Sequence, residues 1–170
     1  MKRLILLISD TFIYYRKSFY VAAFVYVISI VFGMLFFQNE IIPINPNKIA
    51  FHDLLKHNLF TMFLIISAGT FTFGLLGNFI IVANGVVLGR ILIGVYNSSG
   101  HYPIFRYVAP HFIFETVALC IAAAISYETY KFFYNMRHVE SKVISIKYVL
   151  ISLFFMLLFI LIAACIESKV

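Results

Sequence analysis

The residues with the clearest capacity for chemistry stand in the segment Pro110-His111-Phe112-Ile113-Phe114-Glu115. His111 and Glu115 are four apart, so on a helix they share one face and could act on the same atom. An imidazole nitrogen and a carboxylate oxygen suit two tasks: ligating a metal such as zinc, or relaying a proton as a catalytic acid and base. Glu167, closing the run Ala163-Ala164-Cys165-Ile166-Glu167, is the candidate third metal ligand, and Asn58 a further polar member from another segment. The structural alternative is that this His-Glu pair only hydrogen-bonds to hold helices together. His52, Asp53 and His57 could supply a missing ligand, although such residues in a loop are more often solvated. Elsewhere, Asn84 interrupts an apolar run, and Arg90 either snorkels to headgroups on the cytoplasmic side or pairs with a buried acid.

These groups matter because of their surroundings. Of 170 residues, 63% are hydrophobic and 12% charged, with 20 Phe and no Trp, which exceeds what a water-facing surface tolerates. The bilayer is therefore the main solvent, and an ionisable group at that depth is costly unless paired or hydrated. The apolar runs are continuous rather than alternating, which selects helices over a membrane barrel. The expected fold is all-α, a single transmembrane helical bundle spanning residues 1–170.

A crossing needs roughly 20 apolar residues. Residues 1–17 mix apolar and charged types and read as an interfacial segment, followed by a first crossing from Ser18 to Phe37. That run is too long for a cleaved signal peptide and ends in Gln38-Asn39-Glu40 without a small-residue cleavage site, so it reads as a retained anchor. The polar segment 38–57 reads as an extracytoplasmic loop. From Asn58 to Tyr96 the chain stays apolar for longer than one crossing needs, broken by Gly69, Gly74, Gly77, Gly85, Gly89 and Gly94, which suggests two short or broken helices. Further crossings run from Pro110 to Tyr127 and from Tyr148 to Ile166, with 128–147 a basic cytoplasmic loop.

Lys2, Arg3, Arg16 and Lys17 precede the first crossing, and Lys131, Arg137, Lys142 and Lys147 lie between the last two. The positive-inside rule puts both groups in the cytoplasm, giving five crossings of the cytoplasmic membrane with the N-terminus inside. The net charge of +6 thus serves orientation, and scattered basic residues argue against nucleic acid. Gly85-Val86-Val87-Leu88-Gly89 is a GxxxG that brings helices close, within the chain or in a homodimer. Cys120 and Cys165 lie in apolar runs and say little about redox compartment. A Walker-type loop, G-x-S-x-G and H-E-x-x-H are all missing, which excludes an ATP-driven motor by itself.

Taken in order, Asn58, Gly69, Gly74, Asn84-Gly85, Gly89, the Pro110–Glu115 segment and the terminal small residues before Ile166-Glu167 resemble the stage II sporulation protein M family of multi-pass membrane proteins. Phe112 departs from that pattern, which has Gly after the His. The resemblance implies one of two settings. The first is the maturation, secretion or immunity of a circular bacteriocin, with a hydrophobic peptide handled at the outer half of the membrane. The second is a non-enzymatic scaffold for peptidoglycan hydrolases in sporulation engulfment. An intramembrane metal-dependent peptidase or ligase using His111, Glu115 and Glu167 is a third reading. Membrane lipids are partners in all of them.

Overall fold

The computed structural model describes residues 2–43, 50–137 and 144–169. The helices are α1 (Lys2–Phe36), α2 (Phe51–Phe71), α3 (Leu75–Ser99), α4 (Ala109–Arg137) and α5 (Ile146–Glu167), with a π-helical turn, Ile104–Val108, leading into α4. No strand occurs among the described residues. Five helical segments are long and apolar enough to cross a membrane.

The side-chain pairings fix the direction of each helix. Along α1 and α3, Ser29 meets Gly85, Ile30 meets Gly89, and Ile42 just beyond α1 meets Gly94, so the two run parallel. Tyr14 bonds to Glu128 and Tyr26 lies by Thr116, so α1 and α4 are antiparallel. Gly69 abuts Ser126 and Thr70 bonds to Thr129, so α2 runs parallel to α4. The Phe114 and Phe159 rings stack at 6.2 Å while Tyr148 meets Tyr14, which sets α5 antiparallel to α4. Each helix therefore reverses its predecessor, as successive crossings must.

The bundle is organised around α4, which touches every other helix. From Ala118 to Ser126 it is buried at every position but Ile121, and its small residues Ala118, Ala122, Ala123 and Ala124 let neighbours approach on all sides. Met62, Ile65, Ile81, Met156 and Ile160 close on it from α2, α3 and α5. The outer surface carries Phe24, Phe32, Phe63, Phe79 and Phe154, all more than half exposed, which is the lipid-facing pattern of a membrane bundle.

Element boundaries depart from the sequence reading in consistent ways. Residues 2–17 continue without a break into the helix that holds the first expected crossing, because nothing between them and Ser18 interrupts helical geometry. The stretch from Asn58 to Tyr96 forms two unbroken helices that turn at Phe73 and Gly74, with φ of 55° and 89°. Gly33, Gly69, Gly77, Gly85 and Gly89 lie inside helices, where backbones or side chains from other helices press against them, and Gly94 meets Ile42 just beyond α1. A Cβ on Gly33 would overlap the Val86 carbonyl, and one on Gly89 the Ile30 carbonyl. The GxxxG of α3 is thus consumed within the chain, against α1. Finally, α2 begins at Phe51 inside the expected 38–57 loop, and α4 continues through Glu128 to Arg137 inside the expected 128–147 loop, of which residues 138–143 lie outside the described set.

Candidate functional site

The expected polar residues fall on α2, α3, α4 and α5. Asn58 is buried on α2. Because α2 and α4 run parallel with Gly69 against Ser126, and Asn58 precedes Gly69 by the same eleven residues as Glu115 precedes Ser126, Asn58 and Glu115 lie at one depth. Tyr26 on α1 lies in the same layer, beside Thr116, Glu115 and Cys120. Glu115 is within electrostatic reach of Glu167 at the end of α5. The His111 Nδ1 atom, one turn earlier on α4, is buried without a hydrogen-bond partner.

These residues gather loosely and do not make a metal centre. Among the described residues no group of three or more His, Cys, Asp or Glu side chains converges to hold an ion. Zinc sites take three or four protein ligands, so His111, Glu115 and Glu167 as placed do not fit zinc. No salt bridge among the described residues reaches Glu115 or Glu167. His52, Asp53 and His57 sit exposed on the first turns of α2, where Asp53 complements the helix dipole.

Asn84 is satisfied within its own helix, donating to the Ile80 carbonyl at 2.8 Å. Arg90 pairs with an acid, but one that lies outside the helices and is not buried. It forms a fork on Glu40, just past α1, and lies 5.2 Å from the centre of the Phe37 ring. The guanidinium holds the Glu40 carboxyl below its ordinary range. The same segment is strapped to α3 by Asn97, which donates to the carbonyls of Gln38 and Glu40 at 2.8 and 2.9 Å, and by the Ile42 amide on the Gly94 carbonyl at 3.0 Å.

The most fully connected polar group was not anticipated from the sequence. At the opposite end of the bundle, the buried Glu128 carboxylate accepts from the Tyr14 hydroxyl on one oxygen and from Lys131 Nζ at 2.6 Å on the other. Lys131 also donates to the Tyr14 oxygen at 3.2 Å and sits 5.2 Å over the Tyr14 ring. A pocket of about 490 Å³ opens beside this triad. The signal for it was local: an acid and a lysine at i and i+3 at the foot of an apolar run, with an aromatic pair, Tyr14-Tyr15, at the foot of another.

A bundle of five apolar helices, four of them packed around a small-residue central one with polar groups paired across it, is that of a polytopic membrane protein. The chain belongs to the Stage II sporulation protein M family, whose model matches residues 22–170. Neither a curated protein nor a solved structure matches it.

Proposed function

We propose that this family member holds a hydrophobic peptide within the cytoplasmic membrane, in the maturation, secretion or immunity of a circular bacteriocin. The observation that carries this reading is an apolar pocket of about 250 Å³ between α1, α4 and α5, walled by Phe12, Phe19, Val117, Ile121, Phe155 and Phe159. Of its hydroxyls, that of Thr11 is occupied by the Leu7 carbonyl at 2.8 Å. Such a recess, lined mostly by apolar side chains, suits those of a membrane-bound peptide. With the N-terminus inside, as the basic residues support, it belongs to the inner half of the membrane rather than the outer half to which His111 and Glu115 drew attention. A metal-dependent peptidase or ligase gains no support from the side chains, because the expected ligands do not form a set.

A photo-crosslinking residue at Phe155, compared with one at the lipid-exposed Phe63, tests this in membranes that also hold a circular-bacteriocin precursor. Crosslinks to the peptide from position 155 and not 63 are expected. Equal labelling from both, or none from abundant protein, would overturn the proposal. The strap that fastens Gln38–Ile42 to α3 favours a second reading, a scaffold whose partner docks on that end of the bundle, because it presents the start of the connecting segment in a fixed shape.

A further inference from the structure

We propose that the pocket beside Tyr14, Glu128 and Lys131 binds the phosphate of an anionic phospholipid headgroup. Depth comes first. The 22 residues of α5 span about 33 Å, one bilayer core, so Tyr148 near its start lies at headgroup level. The Tyr14 ring packs on Tyr148 with centroids 4.9 Å apart, which sets the triad at that level too.

The chemistry of the walls selects the ligand. Lys17, Ser18 and Tyr15 line the pocket with Lys131 and Glu128. Both Glu128 oxygens are engaged, and its charge is matched by Lys131. Lys17 enters no salt bridge among the described residues and adds a second positive charge at the mouth. Tyr15 is 6% exposed and its hydroxyl has no hydrogen-bond partner, an arrangement that is costly in a buried group and is relieved by an acceptor. Two ammonium groups and two hydroxyls around one recess form a donor-rich site, complementary to a phosphodiester. At this depth the phosphodiester available is that of a lipid, and the net positive charge favours phosphatidylglycerol over a zwitterionic lipid.

The test is native mass spectrometry of the full chain in detergent, titrated with phosphatidylglycerol, phosphatidylcholine or inorganic phosphate. Wild-type protein is expected to retain one phosphatidylglycerol in preference to phosphatidylcholine, with phosphate failing to displace it. Lys17→Gln weakens retention about fivefold, the effect of one lysine near a charged surface. Tyr15→Phe weakens it severalfold while leaving the Glu128 pairing intact, and Lys56→Gln, near the start of α2 at the other end of the bundle, leaves it unchanged. Equal binding of both lipids, displacement by inorganic phosphate, or equal loss in Lys17→Gln and Lys56→Gln would each overturn the assignment. Unchanged thermal stability of the variants shows that a loss reflects the site and not the fold.

Discussion

The Tyr14 hydroxyl donates to the Glu128 carboxylate across 114 residues of sequence, tying the first helix to the central one. The bond is one of three around a single buried acid, the others coming from Lys131 to Glu128 and to Tyr14. A carboxylate 6% exposed tolerates burial because a cation and a phenol both face it.

Removing the cation while keeping the acid is therefore the more damaging change. Lys131→Met is expected to cost about 3 kcal/mol, the penalty of an uncompensated buried charge. Glu128→Gln, which keeps the shape and an acceptor for Tyr14, is expected to cost about 1 kcal/mol. Thermal unfolding in detergent gives the order. A Lys131→Met protein as stable as wild type would mean that Glu128 does not depend on its partner.

The seam between α1 and α3 makes a graded prediction. A Cβ at position 89 meets backbone on two sides, the Ile30 carbonyl and the Met34 nitrogen, the latter at 2.9 Å, and backbone cannot rotate away. At position 85 the sharpest overlap is with the Ser29 hydroxyl, a removable group, while the Ser29 Cβ at 2.9 Å and the Tyr26 carbonyl at 3.0 Å stay close. Gly89→Ala is expected to lose about 3 kcal/mol and Gly85→Ala less, with Ser29→Ala partly rescuing the latter. Equal melting temperatures for the two single variants would refute the packing described for this seam.

His111 distinguishes a ligand from a packing residue. Its buried, unpartnered Nδ1 is a desolvation cost, so His111→Phe is expected to leave stability equal or raise it by about 1 kcal/mol. Metal content measured on the same preparations should not change. A fall in melting temperature together with loss of a stoichiometric metal would instead make His111 a ligand.

The Glu40–Arg90 pair is predicted to be sensitive to acid. Its folded-state carboxyl is held below the ordinary value of 4.5, so its contribution is present above that value and is lost as pH falls through the depressed one. Glu40→Gln should thus be less stable than wild type at neutral pH and match it in strong acid. A difference that persists unchanged at pH 2 would mean that the ion pair is not its source.

Fold class and helix number were legible because continuous apolar runs have one common solution in lipid, a helix that satisfies its own backbone. The boundaries were less so. Glu128 and Lys131 look like loop residues when each is judged alone, yet α4 continues through them, and one partner that lets Glu128 be buried there is a tyrosine 114 positions away. The glycines were legible in part: Gly77 looks like a break along the chain, yet α2 packs against it, whereas Gly85 and Gly89, readable as a GxxxG packing motif, do pack against α1. For the site, the spacing of His111 and Glu115 did place both on α4. Whether a third ligand joined them depended on how α5 sits against α4, which periodicity does not encode.

The parallel pairing of α1 and α3 has a consequence for biosynthesis. Two parallel helices cannot form a hairpin, so the groove around Ser29 and Gly33 has no occupant until the chain has crossed back through α2 and emerged again as α3. A chain arrested after its second crossing would display that groove to lipid or to membrane chaperones. The third crossing then acts as the latch that closes it.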